Sequence, residues 1–177
     1  MATLPIDDGF ISVREYLRTS YSPDCEYVDG RIEERNLGEK EHSILQTFFA
    51  FLFRLHRVEW GVEVFAELRT HVAARRFRIP DVLVTRAEVK FEGVLDSPPL
   101  IAIEILSPDD RLSGMQTKID EYIAFGVEHI WIFDPQRRSA WRADREGLHP
   151  VTEGELTVAG TPIRVVLGEV FAELDRV

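Results

Sequence analysis

A mixed α/β fold, with a central sheet and helices packed on it, is predicted by three features of this sequence. Leu100 to Leu106 is an almost unbroken apolar run, the pattern of a central strand covered on both faces. His129 to Phe133 is a second buried strand, ended by Pro135. Between them, Ser113 to Phe125 has helical periodicity and is stopped by Gly126. Strand, helix and strand in this order make a crossover unit, which joins parallel neighbours in one sheet.

The remaining elements follow from local chemistry. Ser12 caps a short helix, Val13 to Arg18, which Ser22-Pro23-Asp24 breaks. Asp29-Gly30 stands between Glu26-Tyr27-Val28 and Arg31-Ile32-Glu33, a hairpin signal because both turn positions favour positive φ. Glu39 to Arg57 is the longest helix expected. Its middle is apolar nearly all round (Ile44, Leu45, Phe48, Phe49, Phe51, Leu52, Phe53), so it is expected to be largely buried. Val62 to Phe65, Leu68 to Val72 and Phe77 to Val84 read as strands, the last a strong one, and Arg86 to Pro99 as loop. Ser139 to Val166 reads as short antiparallel strands with Gly turns, and Leu167 to Leu174 as a last helix. The class is therefore α/β in the broad sense (α+β), with antiparallel hairpins added to the central mixed sheet.

The chain has 177 residues, 45% apolar and 29% charged, which suits a single domain over residues 1–177 with its own core. The lone Cys25 excludes an intrachain disulfide and a cysteine-based zinc cluster, and it fits a reducing cytoplasm. Met1 to Phe10 carries Asp7 and Asp8 and has no basic region followed by an apolar stretch, so no signal peptide is expected. The most apolar stretch, Ile44 to Phe53, is too short to span a bilayer, so no membrane role is expected. The net charge is −10, which argues against coating DNA by bulk electrostatics but not against a local basic groove. Only three of the 21 basic residues are lysines: Lys40, Lys90 and Lys118.

Three charges sit where apolar residues belong. Asp81, in the strand from Phe77, shares a face with Phe77, Ile79 and Leu83. Glu104 is the only charged residue of Leu100 to Leu106 and shares its face with Ala102 and Leu106. Two acids buried side by side raise each other's pKa, and a divalent cation between them removes the conflict; Mg²⁺ prefers oxygen ligands of this kind. Lys118 is the one charge on the stripe Met115, Lys118, Ile119, Tyr122 and Ile123. That places the ammonium against the sheet, where it could meet a scissile phosphate or an attacking water. Each has an ordinary alternative: the acids can be ends of salt bridges to arginines, and a lysine on an apolar stripe usually snorkels to water. Tyr122 can shape the pocket or simply pack.

Ile79-Pro80-Asp81, with Glu104 on the next buried strand, resembles the PD-(D/E)XK restriction-endonuclease-like superfamily. More closely, the chain resembles its Uma-type endonuclease family. The resemblance is carried by Glu26-Tyr-Val-Asp-Gly30, by Glu41-His42 opening the long helix, by Pro80-Asp81 with Ile103-Glu-Ile-Leu-Ser-Pro108, and by Lys118 to Pro135 with Trp131-Ile-Phe-Asp-Pro135. It implies a nuclease-like core and a metal-dependent endonuclease that hydrolyses DNA phosphodiester bonds. Mg²⁺ or Mn²⁺ would be held by Asp81 and Glu104, with the Ile105 carbonyl as a further ligand. The superfamily lysine is absent two residues after Glu104, where Leu106 stands; the family expects it on the following helix, where Lys118 stands. The resemblance also brings Glu26 and His42 near the pocket. On residues alone, His42 is equally a helix-start histidine packed against the hairpin, and Glu26 a partner for an arginine.

Two segments offer phosphate contacts. Residues 67–78 (Arg69, Arg75, Arg76 and Arg78 against Glu67) and 135–145 (Arg137, Arg138, Arg142 and Arg145 against Asp144) each carry a net +3. The ordinary alternative for each segment is a solvated hairpin tip; read as phosphate contacts, they make DNA the expected partner. A homodimer is a further expectation, since double-strand cutting needs two sites, and no residue demonstrates it. The competing reading is a nuclease-fold module with little activity that binds nucleic acid or a protein. His56, His71, His129 and His149 show no metal-ligand spacing.

Overall fold

The computed structural model describes residues 10–36, 38–108, 110 and 112–176. The N-terminal stretch expected to lack a signal peptide lies outside them, save Phe10. The chain order is α1 (Val13–Arg18), β1 (Cys25–Val28), β2 (Arg31–Glu34), α2 (Lys40–Trp60), β3 (Val62–Ala66), β4 (Thr70–Ala73), β5 (Arg76–Arg78), β6 (Val82–Arg86), β7 (Ile101–Ile105), α3 (Leu112–Phe125), β8 (His129–Asp134), β9 (Ser139–Asp144), β10 (Gly147–Pro150), β11 (Glu155–Thr157), β12 (Arg164–Val166) and α4 (Leu167–Ala172), followed by a 3-10 turn at Glu173–Asp175.

A six-stranded mixed sheet in the order β10-β9-β8-β7-β6-β3 carries the architecture. Its one parallel pair among these strands is β7 with β8, joined through α3 as the crossover pattern requires. A four-stranded antiparallel sheet, β2-β1-β5-β4, lies beside it, and β11 pairs with β12. In the β1–β2 turn Asp29 and Gly30 both have positive φ, +50° and +98°. A side chain at Gly30 would also collide with the Phe10 ring, 2.6 Å from an added Cβ.

Alternation along β7 builds two cores. Ile101, Ile103 and Ile105 join Leu45, Phe49 and Phe53 of α2 and Val170 and Phe171 of α4 on one face. Ala102 joins Met115, Ile119 and Tyr122 of α3 on the other, with Leu106 just beyond the strand. A third cluster, Tyr16, Tyr27 and Phe77, closes the smaller sheet over α1.

Two expectations need correction. Phe77 to Val84 is not one strand: it divides at Ile79–Asp81, β5 joining the small sheet and β6 the large one. Pro80 has no N–H to give to a ladder, and the chain changes sheets there. The face alternation assumed for Asp81 therefore fails. Helix α2 is also less buried than expected. It packs through His42, Leu45, Phe49 and Phe53, while Phe51, Leu55 and Val58 are 63%, 62% and 85% exposed. Only one stripe of a helix lying on a sheet can face the core, so residues one turn apart on the far side stay in water. No helix of the described residues is long and apolar enough to cross a membrane.

Candidate active site

The break between β5 and β6 places Asp81 at the end of a ladder. The β6–β7 register ends at Val82 opposite Ile103, and beyond it the Ile105 N–H donates to Asp81 Oδ2 at 2.8 Å. His42, in the first turn of α2, brings Nε2 to 3.2 Å from the same oxygen. The Arg35 guanidinium donates to Oδ1 at 2.7 Å. Burial opposes charge on Asp81, but His42, the Ile105 N–H and Arg35 outweigh it and hold the carboxyl below its ordinary range. Asp81 in turn outweighs the desolvation of His42 and raises its pKa.

Glu104 is an even-numbered residue of β7 and so faces α3, as the alternation predicts. There Tyr122 donates its hydroxyl to Oε1 at 2.5 Å, and Lys118 Nζ lies 3.6 Å from Oε2. Burial, then the charges of Asp81 and Glu26, push Glu104 up to about 7 in spite of Lys118 and Tyr122.

Lys118 is closer to Glu26, at 2.9 Å from Oε1. Glu26 is buried on β1, where Oε1 also accepts the Ile79 N–H at 3.0 Å and Oε2 accepts Arg78 at 2.8 Å. Desolvation would raise Glu26, but Lys118 and Arg78 pull it below its ordinary value. The structure thus joins the two readings of Glu26: it is an arginine's partner, and it also holds the lysine. For Lys118, the two glutamates outweigh desolvation and keep the ammonium protonated. It does not snorkel away: its side chain is 21% exposed.

Glu26, His42, Asp81, Glu104, Ile105 and Lys118, all singled out from the sequence, line one pocket of about 540 Å³. Arg35 and Arg78 are the participants that sequence reasoning missed or misplaced, while Tyr122, left open between shaping the pocket and packing, bonds Glu104. Tyr122 stands one turn after Lys118 on the same stripe, which was the available signal. Arg78 was grouped with surface arginines, but it is buried and ties Glu26, Glu33 and Glu121 together at 2.5–3.1 Å.

Six carboxyl groups face three permanent cations and His42 among the described lining residues. This excess of anionic oxygen, around a Glu104 whose pKa is raised first by burial and then by neighbouring acids, fits a hard divalent cation. Asp81, Glu104 and Ile105 could supply its protein ligands. A second acidic group, Asp144, Glu146 and His149, lies on the exposed β9–β10 hairpin, away from the pocket's lining. There His149 Nε2 pairs with Asp144 Oδ1 at 3.0 Å.

The crowding at Glu104 has a measurable sign. Its folded pKa exceeds its ordinary 4.5, so the folded protein holds the proton more tightly than the unfolded chain, and stability falls as pH rises between those values. With chelator present, the wild type should lose more thermal stability between about pH 5 and about pH 7 than Glu104→Gln does. Parallel melting curves for the two would contradict the assignment. The raised His42 adds a loss of the same sign at higher pH in both proteins.

The two arginine-rich segments are largely tied to acids. Arg69 pairs with Asp24 at 2.5 Å, Arg76 with Asp29 at 2.6 Å, Arg137 with Asp134 at 3.0 Å, Arg138 with Asp175 at 2.5 Å and Arg142 with Glu153 at 3.0 Å.

Comparison with known proteins bears on the fold and the family. A solved protein from Anabaena variabilis ATCC 29413, titled "putative nuclease belonging to DUF820", is similar over 93% of this chain and 99% of its own, with a TM-score of 0.78 at 20% identity. That likeness shows the shared fold. A DrdV–DNA complex solved by cryo-electron microscopy matches 74% of this chain and 10% of its own, at TM-score 0.43 and 15% identity. No curated protein matches the chain. The family described as "Uma2: Putative restriction endonuclease" matches residues 13–164. The chain, through most of its length and with the mixed sheet expected of such a nuclease fold, belongs to the Uma2 family.

Proposed function

We propose that this protein is a divalent-metal-dependent endonuclease that hydrolyses DNA phosphodiester bonds at the Asp81–Glu104 pocket. The observation that supports this most is the reach of Lys118. Leu106 occupies the usual lysine position, yet an ammonium from α3 approaches the Glu104 carboxylate to 3.6 Å. A different backbone element thereby brings an ammonium to Glu104.

Asp81 and Glu104 would hold Mg²⁺ or Mn²⁺, with the Ile105 carbonyl beside them. The ion supplies Lewis-acid polarisation of a phosphoryl oxygen and lowers the pKa of water. Lys118, paired with Glu26, would orient the attacking water or offset negative charge as it develops on the phosphate. His42 and the Ile105 N–H fix Asp81, and Tyr122 fixes Glu104, so both carboxylates are preorganised. The family description, a restriction endonuclease, favours DNA over RNA as the substrate. Cutting both strands of a duplex would take two such sites, and so a homodimer. Arg75 and Arg145 would be the phosphate contacts on the two basic segments; Arg75 donates to the Asp29 carbonyl at 3.3 Å.

The test is cleavage of matched DNA and RNA substrates by the purified protein with Mg²⁺, with Mn²⁺ and with EDTA. Cutting of DNA that stops in EDTA is expected. Intact DNA in every metal, with metal-independent DNA binding, would overturn the enzyme and favour the binding module.

A further inference from the structure

Arg35 follows β2 directly and is one of the few cations lining the pocket. Its side chain is 15% exposed, and it reaches Asp81 Oδ1 at 2.7 Å and Glu67 Oε1 at 3.3 Å. The other Asp81 oxygen already serves the Ile105 N–H and His42. A cation that uses Asp81 must therefore meet a guanidinium at Oδ1, and two positive charges on one carboxylate oxygen repel each other.

We propose that Arg35 is an internal competitor of the divalent ion at Asp81. It neutralises the buried carboxylate while the site is metal-free, and it yields Oδ1 when a metal arrives. Glu67 provides the place to retreat to: its side chain is 48% exposed, and it already holds the other end of the guanidinium. Asn36, the next residue, donates to Asp110 at 2.5 Å and ties this loop to the far side of the pocket, so the exchange is a side-chain rotation. The competition sets the metal concentration at which the site fills. This inference rests on the reading of Asp81 as a metal ligand.

The experiment is a calorimetric titration of the full chain with Mn²⁺, at fixed pH and ionic strength, on wild type, Arg35→Met, Arg35→Lys and Asp81→Asn. Arg35→Met should bind Mn²⁺ about tenfold or more tightly than wild type, the equivalent of one charge-assisted hydrogen bond no longer broken. Arg35→Lys, which keeps the charge, should lie nearer wild type. Equal or weaker binding by a folded Arg35→Met would overturn the competition. If that variant fails to fold, Arg35→Gln carries the same comparison, because its amide can still donate to Asp81 without a charge. Asp81→Asn separates the two levels of the argument: Mn²⁺ binding that survives it unchanged, or is undetectable in every variant, overturns the metal site itself.

Discussion

Glu26→Ala is expected to destabilise the folded protein by about 3–5 kcal/mol, the usual cost of removing one partner from a buried ion pair. Both Glu26 and Arg78 have side chains only 4% exposed, and Lys118 leans on the same carboxylate. The substitution leaves Arg78 with Glu33 and Glu121, but it strips the Ile79 N–H and Lys118 of their partner at Oε1. The effect extends to function, since the lysine loses its nearer anchor. Glu26→Gln keeps an acceptor for the Ile79 N–H and should lose less. Urea denaturation of the three proteins reads this directly, and a loss below about 1 kcal/mol for Glu26→Ala would show that the network is not what holds β1 to β5 and α3.

Lys118→Met is the second large effect, and it falls on chemistry. Methionine has nearly the same length and fills the same place among Met115, Ile119 and Tyr122 without a charge. The fold should survive because Glu104 can take a proton when the ammonium is gone; Lys118 is the main group that works against burial there. Cleavage should fall by about 10²–10³-fold, the scale on which one electrostatic contact to a transition state acts. The loss should appear in kcat more than in KM, since the lysine is needed as charge develops. A variant that melts like wild type and cuts at the wild-type rate would remove Lys118 from the mechanism.

Much of this architecture was legible because short-range rules dominated. The Asp29-Gly30 turn needs two positive φ angles, and it has them. The apolar run with one acid became the central β7, and period-two alternation turned Glu104 toward the helix that bears Lys118. What stayed illegible was set by distant parts of the chain. A strong β pattern over Phe77 to Val84 hides the change of sheet at Pro80-Asp81, because only the neighbouring strands decide where each half pairs. Helix α2 reads as apolar all round, yet the single sheet it lies on covers one stripe of it. Arg35 is not singled out by sequence reading because its partner Asp81 is 46 residues away in the sequence. The basic segments are positive locally, but acids from elsewhere in the chain, such as Asp24 and Glu153, pair with some of their arginines, which local charge counting does not reveal.

The most direct measurement is nicking of supercoiled plasmid by wild type and Asp81→Asn, purified identically and assayed in Mg²⁺ and in EDTA. Asparagine keeps the shape and an acceptor for the Ile105 N–H but removes the charge that a divalent ion requires. Nicking by wild type that needs Mg²⁺, and that Asp81→Asn lacks while keeping its fold, is the expected result. Equal nicking by both proteins would contradict a metal-dependent nuclease centred on Asp81.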